Sequence, residues 1–325
     1  MRAVVCRKWG SINLLTISNM PPPKLGPNNI LIEVIATSAN YADLVMVAGN
    51  YQTRPNFPFA PGLEAVGIIL ECGAEVKNFK PGERVMALLN HGGFAEQVIA
   101  DASVCFLVPE NMDDNTAAGF LIAYVSSHVA LRWQARLANN ESILVLGSAG
   151  GVGLTAVEIA KVMGAKVIAG ASSNEKLKLA YSRGADYLVD YSKKDLKSEI
   201  MNLTNNSGVD VCFDPIGGSL FDSAFSSVGW GGRYIHIGFV GGIPKVPANR
   251  LLVKHRSAMG SALRYFVRYR TDLLRESVLE LIKWWQAGHL KLEIAGEWKL
   301  EEAVSVLKKL EERSIKGKAV IKLKS

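Results

Sequence analysis

Residues 142–153 read Ser142-Ile143-Leu144-Val145-Leu146-Gly147-Ser148-Ala149-Gly150-Gly151-Val152-Gly153, and this stretch decides the fold. A short apolar run stops at a glycine-rich turn. Leu154, Val157, Ile159, Ala160 and Met163 then recur at helical spacing up to Gly164. A second apolar run follows at 166–171. Strand, turn, helix and strand in that order predict a βαβ unit whose helix begins with backbone N–H groups facing out of the turn. That arrangement binds a pyrophosphate. Glycine turns also serve plain strand–helix packing, but the flanking elements supply the context a dinucleotide site requires. Ala149, Gly150, Gly151 and Val152 are the candidate pyrophosphate residues.

The end of the second strand says which dinucleotide. An NAD site places Asp or Glu there to hold the ribose 2′-hydroxyl. This chain reads Gly170-Ala171-Ser172-Ser173-Asn174-Glu175-Lys176, with two hydroxyls and a nearby lysine and no acid at the tip. Small donors and a cation suit a 2′-phosphate, which a carboxylate would repel. Tyr191, after a strand at 187–190, adds a phenol donor. Ser172, Ser173, Lys176 and Tyr191 are therefore the candidates for the 2′-phosphate, and NADPH is the expected cofactor. The competing reading makes Ser173 a helix cap and Lys176 a solvated lysine. It accounts for each residue singly better than for the set.

A chain of 325 residues suffices for two domains with ample cores. Hydrophobic content of 49% and charged content of 21% are ordinary for a globular enzyme. The net charge of +7 has some density over 254–275, with Lys254, His255, Arg256, Arg264, Arg268, Arg270 and Arg275. This segment reads as a solvated face that steers an anionic cofactor. No nucleic-acid motif accompanies it, so no nucleic-acid partner is expected. Cys6, Cys72, Cys105 and Cys212 are scattered, forming neither a disulfide framework nor a metal knuckle, and fit a reducing compartment. The opening Met1-Arg2-Ala3-Val4-Val5-Cys6 reads as a strand without targeting character. The apolar stretch 143–160 is broken by glycines and Glu158, so no membrane span is expected. The expected location is cytoplasmic.

Along the chain, the first part carries short β runs at 30–36, 65–70, 84–88 and 94–99 between glycine and proline turns, which predicts a small irregular barrel. From about Thr116, helices alternate with apolar strands through Val145, Val167, Leu188, Val211 and Ile235, the pattern of a doubly wound parallel sheet. Near Met259 the alternation ends. An amphipathic helix at 271–287 and another at 300–313 lead to a strand at 317–323 that rejoins the barrel. Domains are expected at 1–122 with 260–325 and at 123–259.

Three segments together resemble the medium-chain dehydrogenases/reductases, specifically their zinc-independent quinone oxidoreductase branch, over nearly the whole chain. They are Pro61-Gly62-Leu63-Glu64-Ala65-Val66-Gly67 continuing to Gly73 and Val76, the turn Ser148-Ala149-Gly150-Gly151-Val152-Gly153, and Gly208-Val209-Asp210-Val211 through Asp214, Gly217 and Gly218 to Arg233-Tyr234-Ile235-His236-Ile237-Gly238. Trp230-Gly231-Gly232-Arg233 and Ile243-Pro244 are similar to the quinone oxidoreductase-like subgroup. The resemblance implies an α/β protein, a GroES-like β-barrel catalytic domain plus a Rossmann nucleotide domain with a doubly wound parallel sheet.

The departures from the zinc alcohol dehydrogenases are informative. Where those enzymes carry Gly-His-Glu, this chain has Gly62-Leu63-Glu64, and leucine cannot coordinate zinc. Their first cysteine ligand falls near Asn40, and the four-cysteine structural loop is missing at Asn90-His91-Gly92-Gly93-Phe94. No metal is expected. His91 and His128 read as surface or packing residues. Without a Lewis acid, the implied reaction is hydride transfer from NADPH to an acceptor already electrophilic, a quinone or an α,β-unsaturated carbonyl.

The resemblance also implies roles for individual residues. Asn40 and Asp43 lie near the nicotinamide, and Ser126 matches a residue that contacts its carboxamide. Tyr51 matches a tyrosine that acts at the reacting carbonyl, where a phenol can donate to a developing oxyanion. The alternative for Tyr51 is an aromatic packed in a loop before Pro55 and Pro58; for Asn40 it is a turn residue. Glu64 supports the site, and Asp43 can order its own loop. By position, Gly238 and Phe239 line the nicotinamide side of the cleft. The segment 249–254 reads first as a subunit contact, because the family's dimers use this region, so a homodimer is expected. Alternative readings are an enoyl-thioester reductase, with Arg54 and 264–270 receiving a phosphorylated carrier, and an NADPH-binding sensor or RNA-binding protein with little catalysis.

Overall fold

Turns cut the first part of the chain into short strands: β1 (Arg2–Val5), β2 (Thr16–Asn19), β3 (Asn29–Ala39), β4 (Glu64–Cys72), β5 (Arg84–Leu88), β6 (Gln97–Asp101) and β7 (Cys105–Leu107). The structure, a computed structural model, describes residues 1–324. It divides into two compact units, Met1–Ile122 together with the chain from Leu292 onward, and Ala123–Lys291.

In the first unit β3 is the hub. Its alternate residues Ile30, Ile32, Val34 and Ala36 are buried, which is the period expected of a strand with one face on a core. One edge of β3 pairs antiparallel with β4, and the other pairs β6 along its first half, with Ile30 opposite Ala100. β6 begins three residues later than the apolar run predicts. The Gly92 and Phe94 amides are bound instead to the carbonyls of Ala60 and Pro61, at 2.8 and 2.9 Å.

The second unit holds β8 (Ser142–Leu146), β9 (Lys166–Ala171), β10 (Tyr187–Asp190), β11 (Val209–Asp214), β12 (Val228–His236) and β13 (Ser257–Gly260) in one parallel sheet. Their order is β10-β9-β8-β11-β12-β13. The chain winds outward from β8 to β10, returns beside β8 as β11, and winds outward the other way. The switch point lies between β8 and β11, where open α/β sheets bind ligands. β8 and β11 are buried almost throughout because helices cover both faces of such a sheet. β13 lies where the sequence reading ended the alternation; it is short and only partly buried, so its pattern is weak.

The chain returns to the first unit as β14 (Ile294–Lys299) and β15 (Lys318–Lys322). β15 pairs antiparallel with β3, Ala319 opposite Ala39, as the run 317–323 predicts. The boundary expected at 260 is corrected to 292. The helix Thr271–Gln286 buries Leu274, Val278 and Leu281 within the second unit. The Trp133 indole donates to Ser277 Oγ at 2.9 Å, and His128 Nε2 lies 3.0 Å from Glu280 Oε2. The 3.6-residue period showed an amphipathic helix but not which core its apolar face joins.

Glu158, on the helix Gly151–Val162, is buried in this second unit. Its carboxylate accepts from Tyr124 Oη at 2.7 Å, Arg183 Nη1 at 3.1 Å and the Lys291 amide at 3.3 Å. Burial nevertheless pushes its pKa from 4.5 up to about 7. The folded chain therefore holds a proton that the unfolded chain releases at lower pH. The stability from this group is full below pH 4.5 and is lost as pH rises through about 7. Urea unfolding should give a stability lower at pH 8 than at pH 5, with about 1–3 kcal/mol of the difference coming from Glu158 and lost in Glu158→Gln. An equally steep profile in the variant would remove Glu158 as the cause.

Candidate functional site

β8 runs directly into the glycine turn, and Gly150 caps the helix that begins at Gly151. Amides of a first helical turn have no intrahelical carbonyl to bond, and they carry the positive end of the helix dipole. Gly153 is dictated by close approach. A Cβ there would stand 2.1 Å from the Gly147 carbonyl oxygen, so any side chain would push the helix off the turn. The Ser148 amide and hydroxyl both donate to the Gly170 carbonyl, at 3.2 and 3.1 Å, tying the turn to β9. Ala149, Gly150, Gly151 and Val152 thus surround a helix N-terminus at the carboxyl edge of the sheet.

The loops after β11 and β12 meet at the same edge. Asp214 accepts from the Ile216 and Gly217 amides at 2.7 and 2.9 Å and from Tyr234 Oη at 2.7 Å, which shapes the turn beyond β11. The Gly241 amide donates to the Ile216 carbonyl at 2.7 Å, and the Gly218 amide to the Gly242 carbonyl at 2.8 Å. Gly238 packs against Pro215, and Phe239 is exposed, its ring 5.7 Å from that of His236. Pro215 and Ile216 also flank Gly147, so the β8 turn and the β11 and β12 loops are neighbours.

At the tip of β9, Lys176 Nζ donates to Ser172 Oγ at 3.4 Å, bringing cation and hydroxyl together across one helical turn. Ser173 Oγ accepts from the Lys176 amide at 3.4 Å, so Ser173 does cap the helix Asn174–Ser182. The Tyr191 amide donates to the Ala171 carbonyl at 3.1 Å, which places Tyr191 beside Ser172. Ser126 opens one α-turn, Ser126–His128, between π-helical stretches Leu121–Val125 and Val129–Gln134. Wide turns of this kind are frequent at functional sites. Ser127 Oγ donates to the Val152 carbonyl at 2.8 Å, setting this segment against the start of the helix after the glycine turn.

Asn40 and Tyr51 belong to the first unit. Asn40 precedes the helix Tyr41–Val47, and Tyr51 lies half-buried just beyond it, packed on the core that contains Phe59 and Leu63. Asp43 orders this region: Oδ2 accepts from the Asn40 amide at 2.8 Å and Oδ1 from the Gly62 amide at 3.0 Å. Burial outweighs these donors and the nearby Lys318, and raises the Asp43 carboxyl to about 7. Glu64 is buried, with Oε2 accepting from the Ile122 amide at 2.9 Å and Oε1 from Asn40 Nδ2 at 3.1 Å. Lys318, which sequence reading missed, reaches the same carboxylate: Nζ lies 3.0 Å from Glu64 Oε1 and 2.6 Å from Asn40 Oδ1. The signal in the sequence was slight, a lysine opening an apolar strand.

Other expectations resolve locally. His128 is held by Glu280 and packs on Trp284, and His91 lies beside the Phe59 ring. Among the described residues no group of three His, Cys, Asp or Glu side chains could hold a metal ion. No helix among them is long and apolar enough to cross a membrane. The basic segment is not wholly a solvated face. Arg256 is buried and donates to the Ser226 and Val228 carbonyls, and Arg270 is paired with Asp272 at 2.7 Å.

Residues 26–110 match the family model of the alcohol dehydrogenase GroES-like domain, and residues 151–283 match that of the zinc-binding dehydrogenases. The chain is 36% identical to quinone oxidoreductase-like protein 2 of Rattus norvegicus, covering 99% of this chain and 92% of the relative. It is 28% identical to the synaptic vesicle membrane protein VAT-1 homolog of Homo sapiens, over 99% of this chain and 86% of that protein. Among solved structures, a mycobacterial protein complexed with NADPH has a TM-score of 0.94 at 26% identity, covering 99% of this chain and 100% of the other. The Escherichia coli quinone oxidoreductase complexed with NADPH has a TM-score of 0.94 at 25% identity, with the same coverage.

The contact of Gly153 with Gly147 yields a direct test. Gly153→Ala should cost the fold about 2–4 kcal/mol, read as a lower thermal midpoint, because backbone and not a flexible side chain blocks the methyl group. An unchanged midpoint would contradict the packing described.

Proposed function

The chain belongs to the medium-chain dehydrogenase/reductase family, and on that premise we propose that it is an NADPH-dependent reductase of quinones or related α,β-unsaturated carbonyls that works without zinc. The observation that carries the cofactor choice is the meeting of Lys176 and Ser172 at the tip of β9, where an NAD site would hold an acid. Gly150, Gly151 and Val152, with Ala149, would hold the pyrophosphate. Ser172, Ser173, Lys176 and Tyr191 would hold the 2′-phosphate, and Ser126, Gly238 and Phe239 would border the nicotinamide. When bound, NADPH supplies the hydride. The NADPH complexes of the mycobacterial and Escherichia coli relatives support this choice.

The donor set supports a zinc-free reaction. Leu63 has no lone pair to offer zinc, and Asn40 brings an amide in place of a thiolate. The Lys318 ammonium, 3.0 Å from Glu64 Oε1, already balances the carboxylate that a metal would seek. The acceptor must therefore be electrophilic by itself, as quinones and enones are. Tyr51 is the proposed donor to the acceptor oxygen, giving its proton as negative charge develops there. A homodimer fits the same reading. β13 is the last strand of its sheet, and the neighbouring residues Trp230, Leu252 and Val253 are 73%, 84% and 66% exposed.

Purified protein should oxidise NADPH with a simple quinone at a kcat/KM at least about tenfold above that with crotonyl-CoA, and a chelator should leave the rate unchanged. Tyr51→Phe should lower kcat by about 100-fold if the phenol gives the proton. Faster turnover of the thioester would favour the enoyl-thioester reductase. NADPH binding without oxidation by any quinone or enone would favour a sensor.

Lys176→Ala should raise the Kd for NADPH by about tenfold or more while leaving that for NADH nearly unchanged, since only NADPH carries the 2′-phosphate. Equal losses for both cofactors would refute this assignment.

A further inference from the structure

Among the described residues no lysine besides Lys318 is buried. β15 pairs antiparallel with β3, and the partner of Ala319 is Ala39, so Lys318 stands next to Asn40 at the end of the ladder. Its Nζ donates to Asn40 Oδ1 at 2.6 Å and to Glu64 Oε1 at 3.0 Å. Asn40 Nδ2 in turn donates to the Ser38 carbonyl and to Glu64 Oε1, both at 3.1 Å. Ser38 Oγ also donates to Glu64 Oε1.

These bonds fix the Asn40 amide in one rotation. Turning it by half a revolution would set its NH₂ against the ammonium and its oxygen against the carboxylate, two repulsive contacts in a buried place. Both amide hydrogens are committed inside the unit, so the Asn40 side chain has only the second lone pair of Oδ1 left to offer. The Lys318–Glu64 ion pair also offsets charge in the cluster, because without the ammonium Glu64 would be buried beside the Asp43 carboxyl with no cation to answer it.

We propose that Lys318 is a positioning residue for the reductase reaction, orienting the Asn40 amide and holding Glu64 in place. This rests on the reductase reading above. The local sequence shows only a lysine opening an apolar strand, because its two partners lie 278 and 254 residues away.

The test is steady-state kinetics on the full chain with NADPH and a simple quinone, beside NADPH binding by fluorescence. Lys318→Met keeps the length of the side chain and removes the charge. It should lower kcat by about 10–100-fold while the Kd for NADPH stays within about threefold. Asn40→Ala should lose a similar factor, and Lys318→Met with Asn40→Ala should lose no more than the larger single loss, since both disable one network. If Lys318→Met alone does not fold, the pair Lys318→Met with Glu64→Gln removes both charges together and carries the same expectation for kcat. A kcat within about threefold of the wild type in either folded variant, or losses that multiply in the Asn40 double variant, would overturn the role of Lys318 alone. A wild-type chain that turns over no quinone or enone would overturn the reductase reading and this role with it.

Discussion

The contact between Gly153 and the carbonyl of Gly147 is the constraint on which the second unit depends. With a Cβ only 2.1 Å from that oxygen, no other residue lets the helix begin so close to the end of β8. The close start aims the helix N-terminus at the carboxyl edge of the sheet. β11 returns beside β8 at that edge, and its turn, shaped by Asp214, brings Pro215 and Ile216 against Gly147. The β12 loop then bonds to the β11 loop through Gly241 and Gly218. One backbone approach therefore sets where three loops converge, and with them the place proposed for the dinucleotide.

A second theme is how buried charges are managed. Each unit contains a carboxylate taken out of water and answered by a cation from another element of the chain. Glu64 meets Lys318, and Glu158 meets Arg183 at 3.1 Å. Burying a lone ion costs several kcal/mol, so each pair makes its surroundings depend on two segments being in place together. For Glu158 the balance leaves the carboxyl titrating at about 7. Asp43 is answered mainly by backbone amides and also titrates at about 7, because burial prevails over the two N–H donors. In the first unit the ion pair sits on the amide of Asn40, so charge balance and side-chain orientation become the same problem.

Much of this was legible in the sequence where the governing forces act over a few residues. The apolar run 142–146, the glycines at 147–153 and the helical spacing that follows specify a βαβ unit, because strand period, glycine sterics and helix period are local rules. The hydroxyls at 172 and 173 and the lysine at 176 could be read in the same way, since a strand tip and the next helical turn lie within one local frame. Leu63 could be read as well, because a leucine offers no metal ligand in any fold.

Other features depended on which distant segments share a core. The helix Thr271–Gln286 has an evident apolar stripe, but only packing against Trp133 and His128 assigns it to the second unit and moves the boundary to Leu292. Arg256 reads as a surface cation until its guanidinium is found on the carbonyls at and just beyond the end of the helix Phe221–Ser226. Lys318 reads as an ordinary strand-end lysine until β15 docks on β3. By itself the sequence determined the βαβ unit, its glycine turn and the residue types available to chemistry. The tertiary structure decided which of them are buried together, because burial, ion pairing and hydrogen-bond orientation are set by neighbours that the chain brings from tens to hundreds of residues away.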